Sequence, residues 1–333
     1  MSRRNHQKPS NRIAMLGAAA CAAFPFAQVH AQGSAFPSRP VTLISTTAAG
    51  GPIDIEARLH AKKMTELLGQ PFLLDYKPGA GTTIGTAYVA KAAPDGYTLL
   101  VTNSSFTLIT ALYKDLSFDP IKDFAPISMV SQRYTVLAAR PSFPAKNFSE
   151  YLAYARANPG KVNFGTVGAG SATHMAGAWM STATNTTVTF VHYKGIAPSL
   201  LDLTAGRLDV APASLSIVLP QIKAGKVKAL VVMNDKHAEA LPGVATVAEQ
   251  GIPDYNYVNW MGFLAPGATP TAIVNKLSDG FARGVKAPEV TAMLEAEGNI
   301  PVGNTPAQFR QVIVSENARW AKLVQDVGIK LEE

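Results

Sequence analysis

The sequence predicts an α/β fold built as two domains, each a mainly parallel sheet flanked by helices. Three observations carry that expectation. Apolar, strand-like runs alternate with helical periodicity from residue 41 to 130, and such alternation builds βαβ units. The same alternation restarts at Tyr134. The chain's 333 residues, 47% of them hydrophobic, suffice for about two cores.

Val41–Ser45 is an apolar run read as a buried strand. Ile53, Ala57, Ala61, Met64 and Leu68 recur at helical spacing, which predicts a helix over 53–68. Phe72–Tyr76 is the next strand, a helix follows near Thr83–Ala92, and Pro94-Asp95-Gly96 turns the chain into a strand at Tyr97–Val101. In the second series Tyr134–Ala139, Lys161–Gly165, Val188–Tyr193, Leu208–Ala211 and Val227–Val232 read as strands. Phe148–Asn158, Ala172–Ala183 and Pro198–Ala205 read as helices, the first stopped by Pro159-Gly160 and the last by Gly206. Beyond Trp260 come a strand at Met261–Leu264 and helices near Thr271–Val285, Pro288–Glu297 and Pro306–Val327. The expected division is 32–133 plus 262–333 against 134–261, with crossings near 131–136 and 255–262.

Residues 1–31 read as a signal peptide. Arg3, Arg4, Lys8 and Arg12 form a basic start, Ile13–Phe26 is largely apolar, and Val29-His30-Ala31 offers small residues for cleavage near Ala31. The apolar stretch is too short for a membrane span, and the product is expected in the periplasm. Cys21, the single cysteine, falls in this leader, so the exported part has no disulfide and rests on its core. The formal charge is +7, and four of the basic residues sit in the leader. With no basic run left, and none interleaved with aromatics, nucleic-acid binding is not expected.

Two strand-to-helix loops stand out. Thr46-Thr47-Ala48-Ala49-Gly50-Gly51-Pro52-Ile53-Asp54 joins the first strand to the first helix, and Gly165–His174 does the same in the second series. Glycines let backbone approach a ligand, and the free N–H groups of a helix start attract anions. Ser171 and Thr173 bring hydroxyls there, as helix caps, as ligand contacts or as both. Asp54 reads either as a first-turn acid favoured by the helix dipole or as a ligand or water contact. Asn103, Ser104 and Ser105 follow a strand at the carboxyl edge of the sheet, where ligands bind in such folds, or else form a capped turn. Phe106, Tyr193 and Trp260 read as core or as cleft lining.

An enzyme reading is weak. Gly79-Ala80-Gly81-Thr82-Thr83-Ile84-Gly85 lies between strand and helix like a dinucleotide loop, but the next strand ends Val101-Thr102-Asn103 without the ribose-binding acid. No nucleophile elbow surrounds Ser171, Ser214 or Ser216. His60, His174, His192 and His237 show no metal-ligand spacing, and no cofactor is expected.

An ordered series of motifs runs through the chain. It includes Arg39-Pro40-Val41, Ala49-Gly50-Gly51-Pro52-Ile53-Asp54, Leu68-Gly69-Gln70-Pro71, Lys77-Pro78-Gly79-Ala80-Gly81 and Ala93–Leu100. It continues through Asp123-Phe124-Ala125-Pro126-Ile127, Asn158-Pro159-Gly160-Lys161, His192-Tyr193-Lys194-Gly195, Ile222–Lys226 and Leu241-Pro242-Gly243-Val244. In this series the chain resembles the solute receptors of tripartite tricarboxylate transporters, the Bug-type periplasmic binding proteins. The resemblance implies a periplasmic binding protein fold that closes like a Venus flytrap, and a monomer that delivers a small organic carboxylate to membrane permease subunits. It implies ligand contacts at Thr47, Ala49, Gly50, Gly51 and Asp54 and at Gly170, Ser171, Ala172 and Thr173, with Asn103, Ser104 and Asp209 as further candidates. It also implies an acidic residue near the cleft beyond Gly206–Asp209. Ala213 stands at that place, which favours a plain carboxylate over an amino acid. Presentation of the ligand to a sensor kinase is the other role such a receptor serves.

Overall fold

Two β-sheets, each with helices on its faces, organise the chain in a computed structural model that describes residues 36–327 other than Lys114, Asp254 and Asn256. The leader and Cys21 lie outside the described residues. Along the chain come β1 (Val41–Ser45), α1 (Pro52–Leu68), β2 (Phe72–Tyr76), α2 (Thr83–Ala90), β3 (Thr98–Asn103), α3 (Ser105–Leu112) and β4 (Phe124–Arg133). The second lobe follows with β5 (Thr135–Ala139), α4 (Phe148–Ala157), β6 (Asn163–Thr166), α5 (Ala172–Thr184), β7 (Thr189–His192), α6 (Ile196–Thr204), β8 (Val210–Ser214), α7 (Leu215–Lys223) and β9 (Lys228–Val232). The chain then returns through β10 (Asn259–Pro266), α8 (Thr271–Val285), α9 (Pro288–Ala296), β11 (Asn299–Pro301) and α10 (Pro306–Val327).

The strand orders are β11-β4-β10-β3-β1-β2 and β7-β6-β8-β5-β9. β1 runs parallel to β2 and β3, and β6 runs parallel to β7 and β8. The remaining pairings are antiparallel: β10 with β3 and β4, β11 with β4, and β5 with β8 and β9. Most strands of each sheet therefore run in one direction, β1 to β4 in the first and β6 to β9 in the second, with β10 and β11 opposed in the first and β5 opposed in the second. The reason lies in β5 and β10, the strands by which the chain crosses between sheets. Each enters a sheet from its carboxyl edge and so runs against the βαβ strands.

Burial explains the local choices. Val41, Leu43 and Ile44 are almost fully buried, so β1 reads as a continuous apolar run. α1 buries Ile53, Ala57, Ala61 and Met64 along one stripe and ends at Gly69, whose φ of 74° places it in the left-handed region that closes helices.

The crossings are tightly tied. Tyr134 alone separates β4 from β5. Asn234, buried just beyond β9, accepts from the Thr135 N–H at 2.7 Å and donates to the Arg133 carbonyl at 3.0 Å. Met233 N–H donates to Thr135 O, and Tyr257 N–H donates to Met233 O. The returning strand enters the first sheet at Asn259, paired with Arg133, so Asn259-Trp260-Met261 belong there and not to the second lobe. α10 does not stay in the first lobe. Phe309 and Ile313 pack with Trp260 and Phe106, whereas Trp320 and Leu323 join the core of the second lobe. A helix of 22 residues is about 33 Å long, enough for one apolar stripe to serve both cores.

Candidate functional site

The crossing at Tyr134 fixes where ligands can meet both lobes. It lies at the carboxyl ends of β3, paired with the start of β10, and of β8, whose Ser214 pairs with Thr135. The strand-to-helix loops of the two lobes therefore converge on one cleft.

The first loop is a scaffold. Gly50 has a φ of 85°, and Gly51 caps α1 without any side-chain bond. Asp54 accepts from Gly50 N–H at 2.8 Å and from the Tyr76 hydroxyl at 2.6 Å, and pairs with Arg58 at 3.0 Å. Burial penalises its charge, but the bonds from Tyr76 and Gly50 and the Arg58 guanidinium outweigh that and hold the carboxyl below its ordinary range. Asp54 thus spends its acceptors inside its own lobe. Thr47 N–H turns back to Ser45 Oγ at 3.3 Å, while Ala49 and Gly50 are exposed.

The loop from β2 to α2 is strained. Ala80 and Thr82 have φ of 44° and 86°, values that L-residues with a Cβ rarely adopt. Thr82 caps α2 with no side-chain bond, and its buried hydroxyl has no partner among the described residues. Strain that persists beside an unspent polar group is a mark of functional sites. The sequence marks this loop as a rejected nucleotide motif and as part of the family series, but not as a ligand contact. Its placement between strand and helix, with Gly79 and Gly81, was the signal that could have found it.

After β3, Asn103 Oδ1 accepts from Ser105 N–H at 2.9 Å, and Ser104 turns inward with its N–H on Trp260 O. These two form a capped turn. Ser105, next along, reaches the cleft.

The second loop is organised by neutral hydrogen bonds. Ser171 Oγ accepts from His174 N–H at 3.3 Å and donates to Gly168 O at 2.7 Å. Thr173 Oγ1 accepts from Val167 N–H at 3.0 Å. Gly170, with a φ of 68°, donates its N–H to His174 Nδ1 at 3.0 Å. That bond requires the neutral ring protonated at Nε2. Burial, and then the neighbouring His192, push the His174 pKa down to about 4, so the imidazole is neutral across the ordinary pH range.

Between these pieces lies a cavity of about 320 Å³. The first lobe contributes Gly81, Thr82, Ser105 and the Leu108, Ile109, Leu112 and Tyr113 side of α3. The second contributes Val167 and Ala169 through Ala172. Among the described residues, no Lys, Arg, Asp or Glu lines it. Among the sequence candidates, Gly170, Ser171 and Ala172 line the cavity. Thr173 supports it from behind through Val167. Thr47, Ala49, Gly50, Gly51, Asp54, Asn103 and Ser104 do not line it.

Two expectations are corrected. Asp209 precedes β8 and holds Arg140 and the Asn163 N–H, each at 2.9 Å. It lies at the far end of a five-residue strand from the cleft, about 16 Å of chain away, whereas ligands in such sheets bind at the carboxyl end. Ala213 is 3% exposed in an apolar core with Val136 and Leu215. An acidic side chain there would enter the core and not the cleft, so its absence carries no information about a ligand ammonium. Phe106 and Trp260 are fully buried and belong to the core.

Known proteins of this architecture can now be set beside the chain. The family model described as tripartite tricarboxylate transporter family receptor matches residues 56–329. An Agrobacterium vitis protein, described as the UPF0065 protein in the TAR-I ttuE-ttuC' intergenic region, is 36% identical over 88% of this chain and 86% of its own. Protein BugT of Bordetella pertussis is 32% identical over 89% and 92%. Among solved structures, R. palustris Rpa4515 with adipate is 32% identical, covers 89% of this chain and 99% of its own, and has a TM-score of 0.74. MatC from Rhodopseudomonas palustris with bound malate is 32% identical over 87% and 100%, with a TM-score of 0.71. The chain therefore belongs to the tripartite tricarboxylate transporter receptors, the Bug-type periplasmic solute-binding proteins.

Proposed function

We propose that this receptor captures a small organic carboxylate in the cavity between its lobes and delivers it to the permease subunits of a tripartite tricarboxylate-type transporter. The carrying observation is that polar groups at helix starts line the cavity, with the Thr82 and Ser105 hydroxyls on one side and the Ala169–Ala172 loop on the other, and that no charged side chain lines it among the described residues. Such a site holds an anion through backbone N–H groups, hydroxyls and helix dipoles. The relatives solved with adipate and malate support the ligand class. Two lobes joined by the tied crossing at Tyr134 suit closure about a hinge, and a ligand that touches both lobes favours the closed form. The protein works as a monomer in the periplasm after its leader is removed near Ala31.

A thermal-shift titration with citrate, malate, adipate and benzoate tests this reading. An acid at a hundred times its dissociation constant should stabilise the fold by about 2.7 kcal/mol. No shift with any of the four would count against the proposal.

A further inference from the structure

We infer that the ligand's body is hydrocarbon, an aryl or aliphatic carboxylate without an ammonium group. The inference rests on the carboxylate reading above and narrows it. Its ground is the distribution of chemistry around the cavity. Leu112 at the end of α3 and Tyr113 just after it are half-buried and form the exposed part of one wall, backed by Leu108 and Ile109, which are almost fully buried one turn earlier. Val167 faces the cavity from the other lobe, beside Ala169 and Ala172. The polar groups are few: the hydroxyls of Thr82, Ser105, Ser171 and Tyr113, and loop backbone.

Several of these are already engaged or belong to a carboxylate. The Ser171 hydroxyl donates to Gly168 O. Thr82 lines the cavity, and its buried hydroxyl has no partner among the described residues, which leaves it to meet a carboxylate oxygen once the lobes close. The α3 wall offers side-chain carbon and only the Tyr113 hydroxyl to whatever lies between the polar ends. A body bearing hydroxyls or an ammonium would bury polar atoms against that wall without full pairing, which costs affinity. An ammonium also meets no anionic partner among the described lining residues, which include no Asp or Glu. A hydrocarbon body fits the wall, as ligand pockets of mostly apolar lining with a few placed polar groups do.

Isothermal titration of the protein with benzoate, adipate, citrate and aspartate tests the inference. Benzoate or adipate should bind at least about tenfold more tightly than citrate and aspartate, the scale on which pockets discriminate such differences. Leu112, half-buried at the end of α3, packs against the edge of a core, so its variants are first matched to the parent in thermal stability. Leu112→Gln should weaken the hydrocarbon acid about tenfold, and Leu112→Met should retain it. Tightest binding of citrate or aspartate, or a Leu112→Gln protein that binds the hydrocarbon acid like the parent, overturns this inference and leaves the carboxylate reading standing. Binding of none of the four overturns both.

Discussion

Thr82→Gly is expected to make the protein more stable and the receptor weaker. Thr82 sits at a φ of 86° with a Cβ, and its hydroxyl is buried without a partner among the described residues. Left-handed backbone costs an L-residue about 1–2 kcal/mol, and an unpaired buried polar group costs about 1–3 kcal/mol. Glycine relieves both and gives back about 0.5–1 kcal/mol through the freedom it adds to the unfolded chain. The net gain is about 1–4 kcal/mol, readable as a higher denaturation midpoint. Binding should move the other way. A hydrogen bond to a charged acceptor contributes about 1.5–3 kcal/mol, so the carboxylate should bind roughly ten- to a hundredfold more weakly. A variant that gains stability and keeps full affinity would remove Thr82 from the site.

Glu316 governs a pH effect of similar size. It lies buried on α10 where that helix meets α3 and β10. Trp260 Nε1–H and the Thr107 hydroxyl both bond to its Oε2 at 2.9 Å. Burial pushes its pKa up to about 7 against those two bonds and Arg319, from an ordinary value of 4.5. The folded protein therefore holds this proton more tightly than the unfolded chain. Its contribution to stability is fully present below pH 4.5, fades as pH rises towards 7, and is gone above that. The difference amounts to about 3 kcal/mol. Glu316→Gln has no proton to lose and keeps an acceptor for Trp260, so it should be more stable than the parent above pH 7 by up to about that amount. His174 works in the opposite sense: its depressed pKa means stability is lost as pH falls from 6.5 towards 4. The difference between parent and Glu316→Gln across pH 4–8 isolates the carboxyl. Parallel curves for the two proteins would refute the assignment.

Much of the fold was legible because its signals are local. Val41–Ser45 announces a buried strand by composition alone, and the α1 stripe announces itself by spacing. α3 and α7 were not legible. α3 has eight residues that are apolar on nearly every side. α7 starts directly after β8 and carries Pro220 inside it. The antiparallel strands were invisible for another reason: direction within a sheet is a property of the crossing and not of the strand's own residues. The site was half legible. Gly170–Ala172, which line the candidate cavity, stood out because glycines and hydroxyls at a helix start have a local meaning. Thr82 and the α3 wall were missed, since a strained φ and an unpartnered hydroxyl exist only once the chain has folded. Asp209 was misplaced because sequence shows that an acid adjoins a strand but not which edge of the sheet it occupies.

The central claim is that one acid touches both lobes at once. Amide hydrogen exchange, with and without a saturating amount of the acid that binds best, measures this directly. The account predicts slowed exchange in both Gly81–Ser105 at the starts of α2 and α3 and Val167–Ala172 ahead of α5. Slowing confined to one lobe, or lying away from these loops, would contradict it.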